Sequence, residues 1–396
     1  MPGKAAIVFG ASGVSGWAFV NELPQDYPAP GTWSKVYAHF NRPMSREEAL
    51  WPNDDRLNLI SGVDLLGSSV EEISNALRAQ APDMAEVTHA YFLAYKANSA
   101  PLVEVEENEI LLRRAITALD SLAPSLEFVV LQHGGRYYGL HLMEDRPTGD
   151  IHPPYKETMP MLAKPLRDEL FYYAQLEWLE KFAADRQWGW CETRPDIVIG
   201  FTPAHNAYNL AGTVGVFCSL FRELHGEGAE CPFPGTEKSW NAVWSHSSSD
   251  MLARQAIHVS LTQPWCSQKG EAFNAADSLT ASTWSKRWPE ICSYFGLQGV
   301  KLDQDDPVEM RTFIKGNSSA WEAMEKKYNL RQGFAERPFE TPSWEQIMMS
   351  QFDFDRPYDV AKIYGTGFSE ERTTLQAWRP VFERMRRAKV IPSAFE

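Results

Sequence analysis

The chain has 396 residues, 44% hydrophobic, 12% aromatic and 23% charged, a globular composition that excludes a disordered, collagen-like or low-complexity polypeptide. With 38 Lys+Arg against 52 Asp+Glu the formal net charge is -14, which argues against binding nucleic acid phosphates over a broad surface. At ~150 residues per domain the length corresponds to roughly two to three units, and no apolar run reaches the ~18–20 residues that cross a bilayer.

Residues 4–16 read Lys-Ala-Ala-Ile-Val-Phe-Gly-Ala-Ser-Gly-Val-Ser-Gly. A single Lys precedes the apolar run, with neither a charged leader nor a cleavage site, so a cytoplasmic location is expected. The run has strand length and meets three glycines, Gly10, Gly13 and Gly16, before a helix-like stretch from Trp17 to Leu23. In such a motif the first glycine allows a tight turn, the second lets a pyrophosphate approach the backbone, and the third packs the helix closely on the strand. The helix N-terminus then aims its N–H groups and dipole at the phosphates. Gly10, Ser12, Gly13, Val14 and Gly16 are therefore candidate cofactor-binding residues. Strand and helix periodicities then alternate. Strands are expected at Ser34–Phe40, Arg56–Ile60, Val87–Ala94, Leu126–Gln132 and Trp188–Thr193, with helices at Glu71–Ala79, Val103–Leu122 and Leu166–Ala184. The strands are mostly continuous apolar runs, as in parallel strands covered on both faces. The expected fold is α/β: a Rossmann-type doubly wound parallel sheet with a mainly helical C-terminal substrate-binding cap.

The tip of the second strand discriminates between dinucleotides, since an acid there bonds a ribose 2′-hydroxyl and an Arg accepts a 2′-phosphate. Here it reads Ala38-His39-Phe40-Asn41-Arg42-Pro43, so Asn41 and Arg42 point to NADPH/NADP+. Asp64 and Leu65, past the third strand, stand where the adenine edge would lie. Beyond residue 203 aromatics and prolines thicken, and helices such as Ser247–Val259 and Trp284–Phe295 dominate. Residues 1–203 are read as the NADP-binding domain, with the catalytic segment at 131–184, and 204–396 as the mainly helical substrate region, interleaved with late strands of the sheet. Any single aromatic there is ordinarily core. The five cysteines are scattered without a CxxC pair, and the nine histidines show no metal-ligand spacing, so reduced structural thiols and no metal are expected.

The Tyr-xxx-Lys pair of ordinary short-chain dehydrogenases is absent: Tyr172 is followed one turn later by Leu176, and Tyr173 by Glu177. Two other segments carry the chemistry. The fifth strand runs into Gln132-His133-Gly134-Gly135-Arg136-Tyr137-Tyr138-Gly139, and the next helix carries Phe171-Tyr172-Tyr173. Here the sequence resembles the progesterone 5β-reductase and iridoid synthase-like enzymes, an atypical branch of the extended short-chain dehydrogenases. The likeness is to their Q-T-G-x-K-x-Y-x-G at Gln132–Gly139, D-P-P-Y around His152–Tyr155 and F-Y-Y at Phe171–Tyr173. It continues through R-P-x-x-I-x-G-F-S-P at Arg194–Pro203, N-L-x-G-T at Asn209–Thr213 and S-D-x-S-D-A-x-L-x-A at Ser245–Ala253.

The resemblance implies NADPH-dependent 1,4-reduction of an enone, with hydride delivered to the β-carbon. By position the carbonyl-holding tyrosine is Tyr172, and the lysine of the strand-end motif is replaced by Arg136. Arg keeps a positive charge but cannot shuttle a proton. His133 stands where the group has Thr. The resemblance also assigns Ala94, Tyr95, Gln132 and Val198 to the cofactor, with Tyr95, His133 and Phe201 as candidate substrate contacts. The implied partner is a bulky apolar carbonyl compound of specialised (terpenoid, steroid-like or polyketide) metabolism, with no nucleic acid and no membrane; the group includes homodimers. The alternatives are an NADPH-dependent ketone or aldehyde reductase, a non-redox isomerase, aldolase or cyclase that retains the cofactor fold, and a non-catalytic NADPH sensor.

Overall fold

A computed structural model describes residues 3–203, 208–301, 308–335 and 344–395. In chain order the strands are β1 (Lys4–Phe9), β2 (Trp33–Phe40), β3 (Leu57–Ser61), β4 (Val87–Phe92), β5 (Phe128–Gln132), β6 (Gly189–Pro195), β7 (Ile197–Ile199), β8 (Glu230–Pro232), β9 (His246–Ser248), β10 (Lys269–Ala275) and β11 (Gln298–Val300). The helices among them are α1 (Val14–Glu22), α2 (Arg46–Ala49), α3 (Val70–Gln80), α4 (Pro101–Leu122), α5 (Phe171–Ala183), α6 (Leu210–His225), α7 (Glu237–Asn241), α8 (Ser249–Leu261) and α9 (Trp284–Ser293), and further helical segments lie between Met310 and Arg387. The chain divides into two compact units. The first is Met1–Pro195, Asp250–Ala275 and Asp359–Ser369; the second is Asp196–Ser249, Ala276–Tyr358 and Glu370–Glu396.

The first unit is built on a seven-stranded sheet of order β10-β6-β5-β4-β1-β2-β3, parallel throughout. Its central strands are apolar on both faces: Ala5–Phe9 and Val129–Leu131 are all buried. That is how a parallel sheet sandwiched by crossover helices must read. The strand order reverses between β1 and β4, and ligands of open α/β sheets bind at such a switch point, outside the carboxyl ends of the strands. Local signals set the helix starts. Ser69 and Glu72 form a reciprocal capping box at the N-terminus of α3, and Pro101 opens α4.

Two elements differ from the sequence expectation. The helix expected over 166–184 is divided: Leu166–Glu169 form a 3-10 turn, Leu170 is extended, and α5 starts at Phe171. The interruption puts Phe171–Tyr173 in the first turn of the helix. The seventh strand, β10, is one that periodicity does not single out. Its sequence Lys-Gly-Glu-Ala-Phe-Asn-Ala is exposed in its first half and buried in its last three residues, as an edge strand permits.

In the second unit two short parallel pairs, β7 with β9 and β8 with β11, accompany a core rich in tryptophan, including Trp244, Trp284, Trp288 and Trp378. Three of the cysteines, scattered along the sequence, meet in space. Cys218 of α6, Cys231 of β8 and Cys292 of α9 are all buried, with their sulfurs within 4.8 Å of one another. They offer three of the four ligands that a closed zinc site takes, and no fourth His, Cys, Asp or Glu joins them among the described residues. Burial, and then the neighbouring sulfurs, push the Cys218 thiol well up. Among the described residues no helix is long and apolar enough to cross a membrane.

Candidate active site

The loop after β1 is shaped by steric necessity. Gly10 has φ +83, and a Cβ there would lie 2.6 Å from the backbone nitrogen of Ala94. A Cβ on Gly16 would lie 2.1 Å from the carbonyl oxygen of Gly10, so α1 packs directly on the turn. Gly13 is open by comparison, its nearest neighbour 3.4 Å away, and it caps α1 without a side-chain hydrogen bond. The N–H groups of Gly10 and Ala11 donate to the His39 carbonyl of β2 at 3.2 and 3.0 Å, which ties the turn to the sheet. Val14 and Ser15 open the helix. From the end of β5 the Gln132 amide donates to the Ser15 hydroxyl at 2.8 Å, while its Oε1 is buried with no hydrogen-bond partner. A glycine cradle, a helix N-terminus and an orphaned buried acceptor together fit a dinucleotide.

Asn41 and Arg42 are exposed just past β2, and Arg42 makes no ion pair among the described residues. Asp64 folds over its own loop: its carboxylate accepts the Leu66 N–H at 2.9 Å, and Leu65 is buried beside it. Ala94 and Tyr95 continue β4, and the Tyr95 ring stacks on Phe171 at 5.3 Å.

Tyr172 lies in the first turn of α5, with its hydroxyl 3.5 Å from where a Cβ of Gly134 would be, so its oxygen sits against the backbone at the end of β5. Tyr173 is committed to structure: its hydroxyl donates to the Tyr137 carbonyl at 2.7 Å and accepts the Leu162 N–H at 3.0 Å. Arg136 lies on the 3-10 turn Gly135–Tyr138, its guanidinium carbon 6.0 Å from the Tyr172 ring centroid. That cation is paired. Arg136 donates to Glu104 of α4 at 2.7 Å, and the Tyr95 hydroxyl donates to the other oxygen of Glu104 at 2.5 Å. Burial disfavours the Glu104 carboxylate, yet Arg136 and then Tyr95 hold it below its usual range.

Against the Tyr172 ring the His133 imidazole stacks nearly parallel, centroids 4.1 Å apart at 12°. His133 Nδ1 is 2.6 Å from Glu192, and its Nε2 is 2.9 Å from the Gln175 Oε1. The second oxygen of Glu192 takes the Arg194 guanidinium at 2.7 Å. Burial opposes the Glu192 charge, but Arg194 and then His133 outweigh it and bring the carboxylate down to about 2.

Tyr172, Arg136, His133 and Tyr95 thus come together in the first unit, whereas Val198 (half-buried, in β7) and Phe201 (buried) belong to the second. Sequence reasoning missed Glu104, Gln175, Glu192 and Arg194. A signal for two of them was present: Glu192 and Arg194 are charged residues two apart, hence on one face, in a strand that is buried throughout.

Residues 6–392 match the family model described as PRISE-like Rossmann-fold domain. The chain is 34% identical over 395 residues to the short chain dehydrogenase ausT of Aspergillus calidoustus, covering 98% of this chain and 94% of that one. It is 26% identical over 394 residues to the 3-oxo-Delta(4,5)-steroid 5-beta-reductase of Arabidopsis thaliana, covering 98% and 93%. Among solved structures, a UDP-glucose 4-epimerase of Thermus thermophilus in complex with NAD has the same fold, with TM-score 0.58 at 16% identity over 96% of this chain and 99% of that one. The chain belongs to the PRISE-like Rossmann-fold family and is an oxidoreductase of the short-chain dehydrogenase type.

Proposed function

We propose that this oxidoreductase catalyses NADPH-dependent 1,4-reduction of a bulky apolar enone in specialised metabolism, with Tyr172 holding the carbonyl oxygen. One observation carries the reading: a buried phenol is set at the carboxyl end of β5, stacked on the His133 ring and with the Arg136 guanidinium 6.0 Å from its centroid, with Leu176 where a lysine would relay protons. The similarity to a 3-oxo-Delta(4,5)-steroid 5-beta-reductase supports an enone as substrate, and the NAD-bound epimerase of the same fold supports a nicotinamide cofactor.

A bound nicotinamide supplies the hydride. Gly10, Ser12, Gly13, Val14 and Gly16 would hold its pyrophosphate, Gln132 its nicotinamide end, and Asn41 and Arg42 a 2′-phosphate. The chain's own task is to hold the enolate oxygen that develops when hydride adds to the β-carbon. The Tyr172 hydroxyl donates a hydrogen bond there, and a donor preorganised at that position contributes about 3 kcal/mol to lowering the barrier. Arg136, held by Glu104, cannot deliver a proton. An enolate can take its proton from solvent at the α-carbon, whereas carbonyl reduction needs an acid at oxygen, so this set of residues favours 1,4-addition.

The test is NADPH oxidation with a panel of cyclic and linear enones, with products identified by mass and NMR. A saturated carbonyl product is expected, with kcat reduced about a hundredfold in Tyr172→Phe. An unsaturated alcohol would assign carbonyl reduction instead. Turnover in Arg136→Lys alone would mean that the native arginine has replaced hydride transfer with a non-redox reaction.

A further inference from the structure

We propose that His133 is held as an imidazolium against the face of Tyr172, and that this fixed charge, rather than Arg136, is the cation that stabilises negative charge developing on the Tyr172 oxygen. The inference rests on the reading of Tyr172 as the donor that holds the enolate. His133 neither gives up nor takes a proton in it; it acts through Tyr172 and is a positioning residue.

The charge follows from the hydrogen-bond chain. The Gln175 amide nitrogen donates to the Asn108 carbonyl at 2.6 Å, which turns its Oε1 toward His133 Nε2 at 2.9 Å. An amide oxygen only accepts, so Nε2 must carry a proton. On the other side Nδ1 lies 2.6 Å from Glu192, a carboxylate kept ionised by Arg194, and a carboxylate also only accepts. Both ring nitrogens therefore carry protons. The side chains of His133 and Glu192 are 0% and 2% exposed, which leaves no room for water to replace either acceptor.

The charge balance then separates the two cations beside Tyr172. Arg136 is matched one to one by Glu104, a neutral pair. Glu192 alone faces two cations, His133 and Arg194, which leaves one positive charge in excess, and the ring in contact with Tyr172 is one of the two. The groups facing His133 are Glu192 from β6 and Phe171, Tyr172 and Gln175 from α5. A cation within ~4–6 Å favours the ionised form of a phenol by about 1–3 pH units, and desolvation strengthens its interaction with an aromatic face.

The test uses the whole 396-residue chain. Histidine 15N spectra of the wild type are expected to show both His133 nitrogens protonated in the folded protein. Glu192→Gln keeps both contacts in shape, with its amide donating to Nδ1 and its carbonyl accepting from Arg194, but makes the ring neutral. In that variant Nδ1 is expected to lose its proton. The Tyr172 titration, read as the ultraviolet difference between each protein and its Tyr172→Phe counterpart, is expected to move up by about one unit or more. Enone reduction at pH 7 is expected to fall about tenfold in kcat with KM little changed. A singly protonated His133 in the wild type overturns the proposal, as does a Tyr172 midpoint that stays in place once the ring is neutral. If Glu192→Gln does not fold, His133→Asn carries the same titration and the wild-type spectrum still decides the charge. Neither spectroscopic reading needs turnover: an unsaturated alcohol as product overturns the enone reading, while the His133 spectrum and the Tyr172 titration still decide the charge.

Discussion

A methyl group at Gly16 would meet the carbonyl oxygen of Gly10 at 2.1 Å, and neither backbone can yield without opening the turn that holds the cofactor cradle. Gly16→Ala is therefore expected to cost about 1–3 kcal/mol of stability and to weaken NADPH binding at least tenfold, measured by denaturant unfolding and nicotinamide fluorescence. Stability or binding equal to wild type would contradict it. Arg42 makes a different prediction because it is exposed and unpaired among the described residues. Arg42→Ala should raise KM for NADPH about tenfold or more and leave KM for NADH unchanged, since only the former loses a charge-assisted phosphate contact. Equal effects on both cofactors would remove Arg42 from that role. The steric role of Gly16 was legible in the sequence because turn geometry acts over a few neighbouring positions, and Arg42 is a candidate on the same kind of local signal. The partner of Arg136 was not, since Glu104 is 32 residues away on another element.

Among elements, the alternation of apolar runs and helical periods anticipated six of the seven strands of the main sheet, because strands buried on both faces must be apolar throughout. β10 escaped: its place at the edge relaxes that demand, and its first residues remain polar. The delayed start of α5 escaped for a similar reason, since residues 166–184 contain no strong breaker and the extended Leu170 is a tertiary outcome. Element packing also gathers Cys218, Cys231 and Cys292, while Cys266 is the one cysteine that is not buried. Under native conditions a thiol reagent such as Ellman's is expected to modify Cys266 alone, and all five cysteines after denaturation. Rapid native reaction of the other cysteines would show that their burial is not maintained.

The molecule as a whole should be acid-labile. Burial holds His39 and His89 neutral, down to about 4 and 3, lowers His141 to about 4, and pushes His246 well below its usual value. Below pH ~6.5 the unfolded chain binds protons that these folded histidines refuse, so the stability they contribute is complete above that pH and is lost as pH falls. Asp196 and Asp277, raised to about 6 by burial, and Glu157, also raised by burial, act in the opposite direction over a narrower window. The histidines prevail, and Tm is expected to fall between pH 7.5 and 5, with a further loss below pH ~4.5, where the unfolded chain takes up the proton that folded Glu192 refuses down to about 2, measured by scanning calorimetry. A Tm that is level or rises on acidification would reverse the balance.

Composition, the glycine turn after β1, the apolar runs and the Phe171-Tyr172-Tyr173 segment determined the fold class, the family and the main catalytic candidate, because steric and burial rules that act locally leave periodic marks in a sequence. The tertiary structure decided what surrounds that candidate. Strand order brings Glu192 to His133 across 59 residues, and helix packing brings Glu104 to Arg136. Those pairings give each basic group near Tyr172 its carboxylate partner. A charge's partner depends on distance in space, which no spacing along the chain records.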